Sequence, residues 1–332
     1  MKRSLVIFVF LFFCGCSKSG NPVKDKNGDG NTHNPPARTP YLLFTLKEGS
    51  IFNLYAYDFD SMRTLRLTNS LNVGDFVYSP DKSKIAFSGN YDIYLMEVST
   101  GLTTQITQTS AEESSPVFVG SSDTIAYISR EGTNTYSIRF TSAITGVTRV
   151  VKSGGDVIRK LSISPRSRYL AYLGPVFPGT MHIISIEDDV EVYIPGLPVD
   201  ANDYEWAGDD SVLVLATHSG LFYVNVAQRN YRAIVSGDGS YYPVSISGDG
   251  KLLAFNNNGS LSLYHIEEGG SPSVIIDPAP GVSYRDIAFD PAQYRMAVIE
   301  YQSPEYILSL VYTRGTKTEL LRSNSQINRL AW

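Results

Sequence analysis

The 332 residues carry 28 Lys and Arg against 33 Asp and Glu, a net charge of −5, with the basic residues scattered along the chain. Phosphate backbones are held by clustered cations, so DNA and RNA are excluded as partners. The only cysteines, Cys14 and Cys16, lie near the N-terminus, which excludes a disulfide within the folded part and leaves stability to the apolar core that about 290 residues can bury.

Met1 to Gly15 joins Lys2 and Arg3 to the apolar run Leu5 to Phe13, the proportions of a secretory signal and too short to span a bilayer stably. Losing it would move the net charge from −5 to −7. The segment Phe13-Cys14-Gly15-Cys16-Ser17 resembles a bacterial lipoprotein processing site, with small Gly15 before the cysteine to be lipidated. That resemblance selects Cys16, because Cys14 follows bulky Phe13; Phe13 itself stands where such sites usually carry Leu. The alternative is a plain secretory signal with two incidental cysteines. Several acyl chains on one cysteine would attach stably, each buried methylene contributing roughly 0.8 kcal/mol. The expected location is the bacterial cell envelope, lipid-anchored, on the periplasmic or surface face of the outer membrane.

Residues 16–40 after the signal, from Ser17 to Pro40 rich in Ser, Gly, Asn, Asp, Lys and Pro, read as a disordered tether. Inside it Asp25-Lys26-Asn27-Gly28-Asp29-Gly30 imitates the first half of a calcium loop, but Pro36 occupies the twelfth position, where a bidentate Glu is needed. A solvated linker is the preferred reading.

From residue 41 onward the chain repeats. A small or apolar residue between apolar neighbours recurs at Leu43, Ala86, Ala126, Ala171, Val214, Ala254 and Ala297, spaced 43, 40, 45, 43, 40 and 43 residues apart, the period of a four-stranded propeller blade. Eight residues before the last six centres stand Tyr78, Phe118, Ile163, Trp206, Ile246 and Phe289. Turns lie between, as in Ser79-Pro80-Asp81-Lys82, Ser164-Pro165-Arg166-Ser167 and Gly248-Asp249-Gly250-Lys251. Trp332 falls 43 residues after Phe289, so Ile327 to Trp332 supplies the innermost strand that Leu42 to Thr68 lacks. The expected fold is all-β, a seven-bladed β-propeller over residues 41–332, closed by pairing of the C-terminal strand with the N-terminal blade, which removes two open sheet edges.

Tyr78-Ser79-Pro80-Asp81-Lys82-Ser83-Lys84-Ile85-Ala86-Phe87, followed by Asp92-Ile93-Tyr94-Leu95, is similar to the repeat of TolB-type propellers, and Arg66-Leu67-Thr68 and Gln105-Ile106-Thr107 resemble its end. The resemblance is sharp in blades 2 and 6 and blurred in blade 5. It implies a fold; propellers of this type serve as periplasmic binding scaffolds, as domains gating peptidases and in a few cases as polysaccharide lyases.

Catalytic signals are sparse. There is no Gly-x-Ser-x-Gly elbow, His33 is in the tether, and His182 and His265 fall in expected third strands, where a structural role is favoured over metal ligation. Asp188-Asp189 and Glu267-Glu268 read as solvated turn charge. No cofactor, no metal site and no enzymatic activity are expected. Binding is the preferred reading, at the face formed by the loops leading into each innermost strand and those between second and third strands. The first set contains Glu112-Glu113, Asp156 with Arg159, Asp203-Tyr204, Tyr241-Tyr242, Tyr284-Arg285-Asp286 and Gln326 to Asn328; the second contains Asn90-Tyr91, Arg130 with Asn134, Pro175 to Gly179, His218, Asn256 to Asn258 and Tyr301 to Glu305. From these the candidate site is Tyr91, Glu112, Arg130, Arg159, Asp203, Tyr204, His218, Tyr241, Tyr242, Tyr284 and Arg285. Tyr offers a flat apolar face and a hydroxyl, suited to peptide or sugar, although it is also a favoured strand residue. In order, the expected functions are a scaffold for an envelope protein or peptide, which requires an exposed apolar and aromatic patch on that face, a surface glycan-binding accessory protein, and a propeller polysaccharide lyase.

Overall fold

Each repeat centre sits in the second strand of a sheet, and the reason is steric. Leu43, Ala86, Ala126, Ala171, Val214, Ala254 and Ala297 are all fully buried, because second strands are covered on both faces by neighbouring sheets and therefore read as continuous apolar runs. Val212–Thr217 is buried at every position, whereas the outermost strands Arg63–Arg66 and Thr103–Gln105 are exposed throughout. The computed structural model describes residues 41–175, 179–208, 210–277 and 280–332, which form 27 strands in seven antiparallel sheets. The fold is a seven-bladed β-propeller. The expected signal, Cys16, the tether with its calcium-loop imitation, and His33 lie outside the described residues.

Blade 1 is assembled from both ends of the repeat region: Ile327–Ala331 lies beside Leu42–Glu48, then Ile51–Asp58 and Arg63–Arg66. Leu43 faces Ala331 and Leu46 faces Ile327 in register. Trp332 locks this closure. Its ring stacks on Phe59 at 5.3 Å, its Nε1 donates to the Ala288 carbonyl at 2.9 Å, and the Arg295 guanidinium lies over both rings while pairing with buried Asp290 at 2.8 Å.

The recurring turn residues have a shared task. Buried Ser79, Ser164 and Ser247 each accept a hydrogen bond at Oγ from the main-chain N–H five residues on, at 2.9, 3.0 and 2.9 Å. Asp81 accepts from the Ser79 hydroxyl and from the Ser83 N–H and hydroxyl, which holds its carboxyl well below the usual range. The threonines closing two outer strands act alike: Thr68 Oγ accepts from Leu54 N at 2.9 Å and Thr107 Oγ from Ile93 N at 2.8 Å, satisfying third-strand donors left over where the outer strand stops.

Blade 4 departs from the repeat. It has three strands, Arg159–Ile163, Tyr169–Leu173 and Met181–Ser185, where four are expected. The following segment pairs with the sheet briefly, through the bridge Ile184 to Glu191 and the bonds from Ser185 N to Val190 O at 2.9 Å and from Val192 N to Ile183 O at 2.8 Å. Pro195 and Pro198 then remove two ladder donors, and Ile194 turns into the core. His182 stacks on Tyr172 at 4.8 Å and hydrogen-bonds Glu191.

Candidate functional site

The seven innermost strands line a central channel of about 630 Å³. Three residues before each aromatic or apolar mark, at one equivalent level, stand Asp75, Ser115, Lys160, Asp203, Pro243, Asp286 and Arg329, and all seven line this channel. The level coincides with β-bulges: register shifts fall between Val73 and Phe76, Ser114 and Val117, Arg159 and Ser162, and Tyr284 and Asp286. Ser115, Lys160 and Arg329 adopt φ of 51°, 44° and 51°. A bulge re-aims the side chain it carries, and here it turns a ring of mostly charged groups toward the axis.

The three aspartates of the ring are committed to holding blades together. Asp75 Oδ2 accepts from Ser115 N and Oγ at 3.1 Å each, Asp203 Oδ2 from Val244 N at 3.0 Å, and Asp286 Oδ2 from Leu330 N at 2.7 Å, each bond reaching the next innermost strand. Lys160 pairs with Asp203 and donates to the Tyr204 carbonyl at 2.7 Å, and Arg329 pairs with Asp75 at 2.6 Å. Burial works against charge on Lys160, but Asp203 and Glu205 together outweigh it and raise its pKa. Burial pushes Asp286 up to about 6 against the opposing pull of Arg329. The carboxylate of Glu205, two residues beyond Asp203, makes no hydrogen bond to any described residue; burial in the channel wall raises it to about 7, with Lys160 opposing and Asp203 and Asp286 adding.

Beside the channel, between blades 2, 3 and 4, lies a second cavity of about 710 Å³, with Asp75 lining both. It gathers Tyr91, Glu112, Arg130 and Arg159 from the expected site, together with Asn72, Asn90, Glu113 and Tyr136. Arg130 and Glu112 form an ion pair at its wall. Glu113 is out of place chemically. Five residues before each mark, the other six blades carry Val73, Ile158, Ala201, Tyr241, Tyr284 and Ile327, all buried, and blade 3 carries this glutamate at 2% exposure. Its Oε1 accepts from Thr109 at 2.9 Å while Oε2 has no partner among the described residues; burial raises its pKa despite the neighbouring Thr107 and Thr109 hydroxyls.

The remaining expected residues divide. Asp203, Tyr242 and Arg285 line the central channel. Tyr204, Tyr241 and Tyr284 are core residues and offer no surface: the Tyr204 hydroxyl donates to the Ala171 carbonyl at 2.7 Å, and Tyr241 and Tyr284 pack between blades. His218 is exposed in the hairpin between second and third strands of blade 5, outside both cavities. Glu112, Arg159, Asp203, Tyr204, Tyr284 and Arg285, expected in loops, belong to the innermost strands Glu112–Phe118, Arg159–Ile163, Ala201–Trp206 and Val282–Phe289, and Arg130 to the second strand Thr124–Glu131. The bulges are the cause, since one extra residue lets pairing continue past the point where the apolar pattern breaks. Asp75, Lys160, Glu205 and Arg329 escaped sequence reasoning. For Asp75, Lys160 and Arg329 the signal was the fixed offset of three residues before the mark, at which charged residues recur inside strands; Glu205, one residue before its mark, carried no such signal.

Comparison with known proteins fixes the fold. Residues 44–131 match the family described as the dipeptidyl peptidase IV N-terminal region. No curated protein sequence matches the chain. Among solved structures, an oligogalacturonate lyase in complex with manganese is similar with a TM-score of 0.65 at 14% identity, over 79% of this chain and 82% of that one. TolB from Acinetobacter baumannii is similar with a TM-score of 0.53 at 14% identity, over 91% and 88%. A puromycin-hydrolysing peptidase from Mycobacterium tuberculosis gives 0.66 at 14% identity over 86% of this chain, which spans 54% of that enzyme. These likenesses correct the expectation that the chain has no enzymatic activity: the same fold occurs in a lyase and within a peptidase as well as in TolB, so neither the fold nor the missing nucleophile elbow excludes catalysis. Among the described residues, no group of three or more His, Cys, Asp or Glu side chains could hold a metal ion, so the described side chains do not fit the manganese of that lyase complex.

Proposed function

We propose that this chain is a lipid-anchored ligand-capture propeller of the bacterial cell envelope, attached through Cys16, that takes a polar ligand into the side cavity of its loop face. The observation that carries the reading is the convergence of Tyr91, Glu112, Arg130 and Arg159 from three blades on one cavity, of a size typical of ligand pockets. A broad protein scaffold would need an apolar patch on this face, where the exposed large apolar side chains Tyr91, Val199 and Tyr242 sit on the loops of three different blades. Met62, Leu102, Ile144 and Val147 are exposed instead on turns between third and fourth strands, at the opposite face. Recognition at the loop face therefore rests on polar groups.

The test uses the full chain extracted from envelopes in mild detergent, with co-purifying protein and carbohydrate compared between wild type and Glu112→Ala/Arg130→Ala. Material retained by wild type and lost by the variant supports the reading; identical retention, or none, overturns it. Labelled palmitate should enter wild type and be absent from Cys16→Ala, and incorporation in that variant would remove the anchor from the proposal.

A further inference from the structure

Resting on that reading, we infer that the ligand of the side cavity is a neutral saccharide, stacked on Tyr91 and hydrogen-bonded by Glu113. Two independent features mark the cavity as built for a ligand. The first is Tyr91. Asn90 and Tyr91 form the two-residue hairpin of blade 2 with φ of 49° and 73°, a turn in which both central residues are left-handed and the second is favourably Gly. Blade 6 uses that solution, Asn258-Gly259, in the same hairpin position. Blade 2 instead holds a tyrosine there, left-handed and 66% exposed. Its main-chain oxygen accepts from Glu113 N at 2.8 Å, a bond any residue would make, so neither folding nor packing accounts for the ring. Strain of this kind persists where a site requires it.

The second feature is Glu113, a carboxylate substituted into an apolar core level, with one oxygen lacking a partner. A buried acceptor without a donor is costly, and a ligand hydroxyl would supply one. The surroundings narrow the class. An anionic ligand would meet Glu112, Glu113 and Asp75; a cationic one would meet Arg130 and Arg159. A peptide side chain would find few apolar walls, chiefly Ile128, Val157 and Ile158. A neutral saccharide supplies dense hydroxyl donors and acceptors together with a ring face for the tyrosine.

The experiment is calorimetric titration of the full chain in detergent with maltotriose, cellotriose, xylotriose and tri-N-acetylchitotriose, with trigalacturonate as the charged comparator. At least one neutral trisaccharide should bind with Kd below about 1 mM. Tyr91→Gly and Glu113→Val should each weaken it at least tenfold with a Tm no lower than wild type, since each installs the residue type found at the same level of another blade; Tyr242→Ala, at the channel mouth, should leave it unchanged. No neutral binding, binding indifferent to both cavity variants, or preference for trigalacturonate overturns the inference. If the sugars fail while envelope material is still retained in a Glu112- and Arg130-dependent way, only the saccharide assignment falls and loop-face capture stands.

Discussion

Glu205 and Tyr91 are the residues whose physical cost is most exposed to test. The Glu205 carboxyl is raised to about 7 in the folded chain by burial, against about 4.3 in an unfolded one. Between those values the folded state holds a proton that the unfolded state has released, so stability falls as pH rises from about 4.5 to 7 and levels off above. Glu205→Gln removes that dependence. The variant should be more stable than wild type by on the order of 1–2 kcal/mol at pH 8 and equal to it near pH 4.5, discounting the full shift because the side chain meets channel water. Urea unfolding at the two pH values decides it, and a constant difference between them would show that the carboxylate is not held against its charge. Tyr91→Gly should raise stability by roughly 1 kcal/mol, since the left-handed backbone costs a non-glycine residue about that much; a destabilised variant would mean that the ring packs against the fold after all. Neither residue was legible as costly in the sequence. Tyr91 was found because it fell in a hairpin, but its strain depends on a φ no composition reveals, and Glu205 looked like one more polar residue of a strand.

At the scale of strands and turns, much of the structure was written in the chain. Ser79, Ser164 and Ser247 recur because the hairpin between first and second strands needs an oxygen facing its last N–H, and Thr68 and Thr107 recur because the outer strand ends before the third strand is fully paired. Thr107→Val tests this reading with little change of shape: it strips the acceptor from the buried Ile93 N–H and should cost about 1–3 kcal/mol, seen as a lower urea midpoint with an unchanged m-value. A midpoint within error of wild type would assign the satisfaction of that donor elsewhere. The bulges were not legible, because a bulge is a relation between two strands. Without them Glu112, Arg159 and Arg285 read as loop residues, and Tyr204, Tyr241 and Tyr284 read as surface. Tyr241 is the instructive case: it does lie outside any strand, yet the repeat places it level with Val73 and Ile327, and the level decided its burial. The missing fourth strand of blade 4 follows from Pro195 and Pro198, which the period alone overrides.

For the whole molecule, the ring closes only if the final strand is present, and this is where a short deletion should have its largest effect. Removing Asn328 to Trp332 opens the edge of Leu42–Glu48 and exposes Leu42, Phe44 and Ile327, all fully buried in one cluster with Trp332. It also takes away the ring against which Phe59 and the Arg295 guanidinium pack, leaving the Asp290 pair with less cover. Loss of a buried Trp alone costs about 3–5 kcal/mol, and the unpaired edge and the lost bond to Asp286 add to it, so the deletion should lower Tm by well over 10 °C or abolish cooperative melting. Trp332→Ala, which keeps the strand pairing, should fall between the truncated and intact chains. If the truncated chain melted within 2–3 °C of the intact one, which corresponds to about 1 kcal/mol at this size, blade 1 would be stable with its edge open. Closure would then be a matter of topology with little energetic weight, and the channel ring would have to be held by the remaining inter-blade bonds of Asp75 and Asp203.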